Sequence, residues 1–339
     1  MVEADLDHVD SVTINAIENS ANLVSAQESC MAIERISAIV FPGGFNLPLW
    51  TAMAQGFLRA HDIELDLAYT ANSVEQVCGL ITGKWDIGLT AFDNIVAYQE
   101  GQGEQPVEGK PDLFAFMGGD NGFLRFVVAP EIETYADLKG KTFSVDAMTT
   151  GFAFVLRKML ALNGVSEREV TFERAGGALQ RFQALQARKH AGTLLVTPFE
   201  LMGRASGLRV LQSACDLLPR YQGISGTARR SWARANKDVV VRFIQAYLEA
   251  LDWLYRSDNC ADARDLLLKQ VPALGQEIAQ ATCDILLDAG QGFHPQARID
   301  DEGAATVLRL RTEYAQPQRF LVKPEKYIDL SYYTAAIGG

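Results

Sequence analysis

The sequence predicts an α/β protein of two doubly wound lobes followed by a helical carboxyl-terminal region. Three observations lead there. Short apolar runs alternate with helical periodicities in two successive blocks, about Ile36–Ala129 and about Thr142–Gln222. From Asn236 onward helical patterns dominate. The chain has 339 residues, too many for one compact core and a comfortable length for two.

The first block opens with strand, loop, helix and strand over Ile36–Leu67. Ile36–Phe41 is an apolar run of strand length, and Pro42-Gly43-Gly44 stops it, because proline lacks a ladder donor and glycine admits turn conformations. Pro48 suits the first turn of a helix whose face carries Leu49, Ala52, Met53, Gly56 and Phe57. Ile63, Leu65 and Leu67 alternate as a second strand. In such a unit the loop after the first strand opens at the carboxyl edge of the sheet, so Gly43–Asn46 are expected to line a pocket. Ile36–Leu58 carries no charge and is long enough to span a bilayer. Its internal prolines, glycines and Asn46 interrupt continuous backbone pairing, so no membrane span is expected.

Ser73–Thr82 follows as a helix capped by Asn72 or Ser73 and ended by Gly83, with Trp85–Leu89 as the next strand. Thr90–Asn94 leads into a helix through Tyr98, and Leu113–Gly118 and Leu124–Ala129 are strands. In the second block Thr142–Val145 is a strand, Asp146–Thr150 its loop, and Gly151–Asn163 a helix. Val170–Glu173, Ala178–Ala187 and Thr193–Val196 continue as strand, helix and strand, the last running into Thr197-Pro198-Phe199-Glu200. Val239–Tyr255, Ala261–Leu268, Leu274–Leu287 and Gly303–Thr312 form the helical tail.

Composition removes several function classes. Hydrophobic residues make up 48% and charged residues 22%, as in a globular protein. A net charge of −11 repels phosphates and argues against a nucleic-acid partner. The cysteines, Cys30, Cys78, Cys215, Cys260 and Cys283, are odd in number and without CxxC spacing; His8, His61, His190 and His294 are not paired at ligand spacing. No metal site and no cofactor are expected. Met1–Glu34 is acidic and polar and lacks the basic start and apolar core of a secretory signal, which favours the cytoplasm for the chain as given. A start at Met31 leaves the preceding residues an upstream extension, and a mis-assigned amino terminus would permit the periplasm.

Four segments carry a family resemblance. FNLPLWTAMAQGFLRAHDIELDL resembles the opening unit of periplasmic-type solute-binding proteins of the sulfonate, nitrate, taurine and thiamine-pyrimidine (NMT1/THI5-like) group, and WDIGLTAFDNIVAY is similar to their D-[IF]-G-x-[TS] segment. ADLKGKTFSVDAMTTGFAFVLRKMLALNGV resembles their second-lobe entry, and ANKDVVVRFIQAYLEALDWL their long helix after the return crossing. The four stand in the family's order over Ile36–Tyr255. The resemblance implies a type II periplasmic-binding-protein-like clamp with a two-segment hinge near Leu124–Val128 and Gln222–Gly226. It implies a first lobe of 35–125 plus 225–339 and a second of 126–224, with residues 1–34 a poorly ordered extension. A small-molecule ligand sits between the lobes, and an ABC transporter permease is the expected partner. Pocket candidates carried over are Gly44, Phe45 and Asn46; Thr90, Phe92 and Asp93; Met148, Thr149, Thr150 and Gly151; and Thr197, Pro198, Phe199 and Glu200.

Thr149, Thr150 and Gly151 begin a helix, where free N–H groups and hydroxyls suit an oxyanion. Phe45, Phe92, Phe152 and Phe199 fall on or beside cleft loops and could sandwich a planar ligand or belong to the core. Asp93 and Glu200, if both face the cleft, favour an amine or a hydrogen-bonding ring, while Arg125 could pair with an acid or meet a ligand carboxylate. Two function classes stand: capture of an organic anion or aromatic or heterocyclic solute, or a cytosolic enzyme on the same clamp. The enzyme would be a decarboxylase-, desulfinase- or pyrimidine-synthase-like lyase or hydrolase. Gly43 and Gly44 stand where desulfinase-like relatives place a cysteine, and no His–carboxylate or Cys–His pair falls on the cleft loops, so no catalytic residue is assigned.

Overall fold

The computed structural model describes residues 33–288 and 290–338. The extension expected over residues 1–34 lies outside them except at its end, as do Cys30 and Met31; Glu34 already belongs to the first strand. The chain runs β1 (Glu34–Val40), α1 (Leu47–Ala54), α2 (Phe57–Ala60), β2 (Ile63–Tyr69), α3 (Ser73–Thr82), β3 (Ile87–Ala91), α4 (Phe92–Gln99) and β4 (Leu113–Gly118). It crosses to β5 (Arg125–Val128), β6 (Thr142–Val145), α5 (Gly151–Leu162), β7 (Thr171–Arg174), α6 (Ala178–Gln186), β8 (Gly192–Leu195), α7 (Phe199–Ala205) and β9 (Arg209–Ser213). It then returns through β10 (Ile224–Arg229) to α8 (Arg230–Ala235), α9 (Lys237–Leu254), α10 (Cys260–Gln270), α11 (Gln276–Leu286), α12 (Asp301–Tyr314) and α13 (Ser331–Ala336).

The two sheets share one plan. Their strand orders are β2-β1-β3-β10-β4 and β7-β6-β8-β5-β9. In each, the first three strands are parallel and the fourth is antiparallel to its neighbours. That fourth strand is delivered by the chain crossing from the other lobe. β1 is central in its sheet, with Ala38, Ile39 and Val40 fully buried, as a parallel strand covered on both faces requires. The Asn72 side chain caps α3 by accepting the Glu75 N–H at 2.8 Å, and Gly83 at φ 80° ends it. α9 buries Val240, Phe243, Tyr247, Leu251 and Leu254 along one stripe against α1 and α13.

The crossings between the sheets begin ahead of the two expected segments and overlap them at Leu124 and at Gln222 and Gly223. Most of Leu124–Val128 and Gln222–Gly226 lies within the paired strands β5 and β10, and the crossings are residues 119–124 and 214–223. Asp120 ties the two crossings together: its carboxylate accepts the N–H groups of Gly122 at 2.8 Å and Ile224 at 3.0 Å, and its carbonyl accepts that of Gly223 at 2.8 Å. A Cβ on Gly223 would meet the Gly122 nitrogen at 2.2 Å, so the close approach needs glycine there. α7, β9 and α13 were not anticipated. α7 and α13 are too short to show a period, and β9 is only half-buried, so no apolar alternation marks it. Among the described residues no helix is long and apolar enough to cross a membrane.

Candidate functional site

The carboxyl ends of the parallel strands of both sheets meet around a hollow. The first lobe lines it from the loops after β1 and β3, with Phe41, Phe45, Ala91 and Asn94. The second lobe contributes Asp146, Thr150, Gly151 and Phe152 from the loop after β6 and the start of α5. Gly177, Ala178 and Arg181 come from the start of α6, and Val196 from the end of β8. Asp120 and Phe123 close it from the first crossing and Ile224 from the start of β10.

The lobes touch around this hollow. Gly44 N–H donates to the Thr197 carbonyl at 3.1 Å and Gly177 N–H to the Ala71 carbonyl at 2.8 Å. Ser73 N–H donates to the Asp146 carboxylate at 3.2 Å. Glu104, on the loop after α4, accepts the Thr149 N–H at 3.1 Å and its hydroxyl at 2.8 Å, and pairs with Arg174. The strongest tie is Asp93. Its carboxylate takes both oxygens to Arg311 on α12 at 2.8 and 2.7 Å and accepts the Gly151 N–H at 2.6 Å. Arg311, fully buried, also donates to the Thr149 carbonyl at 3.2 Å and the Gln102 side chain at 3.0 Å.

Of the residues expected at the pocket, Phe45, Thr150 and Gly151 line the hollow. The N–H of Gly151, expected for an oxyanion, is taken by Asp93, and the Thr150 hydroxyl donates to the Ala147 carbonyl at 3.1 Å. Thr149 is held by Glu104, and Met148 is exposed. Gly44 joins the lobe seam, while Asn46 is buried behind the loop, donating to the carbonyls of Phe41 and Gly43. Thr90 accepts the Asn94 amide at 2.9 Å, and Phe92 is core. Thr197 donates to Glu200 at 2.6 Å, Pro198 sits between them, and Phe199 stacks on Phe182 at 5.8 Å between centroids. Glu200 is 2% exposed and burial pushes its carboxyl up, with the charge of Arg125 pulling it partly back. Asp93 and Glu200 thus do not face the hollow together, and Arg125 is not among its lining residues.

Three charged residues at the hollow were not singled out from the sequence: Asp120, Asp146 and Arg181. Burial raises both carboxyls; in Asp120 two backbone N–H bonds pull it back, in Asp146 the Ser73 bonds and the charge of Arg181. The signal for Arg181 was present: Ala178, Arg181, Phe182 and Leu185 form one helical face, so an arginine stands inside an apolar stripe. The Asp120 signal was weaker, an acid in a glycine-rich turn.

Residues 46–261 match the family described as NMT1/THI5 like. A protein of Brachyspira hyodysenteriae named as an ABC transporter periplasmic binding protein is 28% identical over 204 residues, 55% of this chain and 55% of that one. The match thus spans about half the length of that relative. Among solved structures, the periplasmic nitrate-binding protein of Synechocystis PCC 6803 superposes with a TM-score of 0.74 at 13% identity, covering 90% of this chain and 88% of that one. The alkanesulfonate-binding protein of Xanthomonas axonopodis pv. citri, bound to MOPS, gives 0.70 at 17% identity, covering 88% and 99%. At these identities the structural matches speak for the fold, the two-lobed binding-protein architecture.

Proposed function

The chain belongs to the NMT1/THI5-like family, and from that premise we propose that it is a solute-binding protein whose lobes close on a small organic molecule. One observation carries the reading: the hollow lies at the carboxyl edges of both sheets, is lined from both lobes, and is surrounded by direct lobe-to-lobe hydrogen bonds. A guest there would bridge both halves and favour the closed form by its differential affinity for it. The name of the Brachyspira relative supports an ABC transporter permease as the partner that takes over the captured solute. An enzyme reading draws less support, because neither histidine nor cysteine is among the lining residues.

The test is a thermal-shift screen over carboxylates, sulfonates, pyrimidines, amines and nitrate, followed by calorimetry of any hit. A ligand binding only the native state raises the melting temperature with its concentration; at about 100 times Kd the gain is about 2.7 kcal/mol. An unmoved melting temperature across the whole panel would sink solute capture. Product accumulating beyond one equivalent, followed by mass spectrometry, would replace it with catalysis.

A further inference from the structure

Resting on the solute-binding reading, we propose that Arg181 anchors the ligand and that the ligand is a small monocarboxylate with a planar aromatic body. The first ground is the state of Arg181. It is 3% exposed, it lines the hollow, and its Nε has no hydrogen-bond partner. A guanidinium is permanently charged, carries five donors and accepts nothing, so a buried one calls for an acceptor. Among the described residues none is provided. The charge that acts on it is that of Asp146, which makes no ion pair with it among the described residues and instead accepts the Ser73 N–H. Arg181 is also the only cation among the lining residues.

The second ground is that the donors expected to hold an anion, at the start of α5, are engaged. The start of α5 is closed off by Asp93 on Gly151 and by Glu104 on Thr149. An anion in the hollow therefore meets the Arg181 fork, at the amino end of α6, rather than the start of α5. A fork of two parallel N–H groups matches the two oxygens of a carboxylate.

The third ground is the rest of the wall. Phe41, Phe45, Phe123 and Phe152 approach the hollow from both lobes and a crossing. Phe123 is fixed edge-on by Phe293 at 5.6 Å and Phe152 leans on Tyr221 at 6.3 Å. Rings held in place this way favour a flat apolar body. Asp120 and Asp146 are the other ionisable groups beside the single cation, so a second carboxylate on the ligand would meet an acid rather than a cation.

The experiment compares benzoate, benzamide, benzenesulfonate and isophthalate by calorimetry on the full chain and on Arg181→Met. Methionine keeps the unbranched bulk and removes a buried unpaired charge, so the free variant should melt no lower than the wild type. Wild type should bind benzoate best, and Arg181→Met should bind it about 100-fold or more weakly. Equal binding of benzoate and benzamide, or benzoate affinity unchanged in Arg181→Met, would overturn the anchor while leaving solute capture intact. Preference for benzenesulfonate or isophthalate over benzoate would overturn the ligand class, as would a wild type that binds none of the four.

Discussion

Asp93 and Glu200 occupy the same place in the two lobes. Each is the second residue of the helix that follows the third parallel strand, in Thr90-Ala91-Phe92-Asp93 and Thr197-Pro198-Phe199-Glu200. Both are almost wholly buried, at 1% and 2% exposure. Their partners differ. Asp93 meets Arg311 with both oxygens and the Gly151 N–H from the opposite lobe. Glu200 has the Thr197 hydroxyl on one oxygen, and its other oxygen is buried without a partner among the described residues. The same local sequence pattern thus yields a lobe-to-lobe latch in one half and an undercompensated buried acid in the other. What decides is a residue more than two hundred positions away, on α12, a helix that packs against both α4 and α5.

The largest effect should follow from removing Asp93. Asp93→Ala leaves the Arg311 guanidinium buried without its counter-charge, which is expected to cost about 3–5 kcal/mol. Urea denaturation should show that loss, and a second change, Arg311→Met, should restore much of it. Glu200→Gln keeps an acceptor for Thr197 and removes only an ionisable proton, so it should shift stability by about 1 kcal/mol or less at neutral pH. Equal losses in Asp93→Ala and Glu200→Gln would erase the distinction.

A pH series sharpens it. Burial raises the folded-state value of Glu200 above that of the unfolded chain. The stability it contributes is fully present at low pH, where both states are protonated, and is lost as pH rises through the raised value. Stability of Glu200→Gln relative to wild type should therefore be flat below the ordinary glutamate range and climb above it. Asp120 and Asp146, raised for the same reason, cancel in this difference. A flat difference at all pH values would mean Glu200 is not held protonated by burial.

This contrast also marks what the sequence could disclose. Strands and helices with long apolar runs or stripes were legible: Ser73–Thr82, Leu113–Gly118 and Thr142–Val145 were predicted with their observed bounds. The loops at the carboxyl edges were legible too, because βαβ order fixes where they gather. Which loop donors remain free was not. Gly151 and Thr149 have the look of an anion site until Asp93 and Glu104 arrive from the other lobe, and nothing near either pair in sequence announces the pairing. Arg181 lay in plain view as a charge on the buried face of α6, but only the tertiary structure reveals that the face meets a hollow.

The smallest effect is expected at the rim of the same seam. Lys158 on α5 pairs with Glu313 on α12 at 2.9 Å, two residues beyond Arg311, and so ties α12 to the helix whose Gly151 N–H is held by Asp93. Here the side chains are 27% and 45% exposed, against 0% and 1% for the buried pair. Water and salt screen such a pair, and two long side chains must be ordered to hold it, so Lys158→Ala should cost about 0.5 kcal/mol or less, and less again at high salt. The two pairs share charge type, neighbourhood and one supporting helix, α12, and differ chiefly in burial. A loss of more than about 1 kcal/mol in Lys158→Ala would show that the outer pair carries the seam and that desolvation is not what sets Asp93 apart.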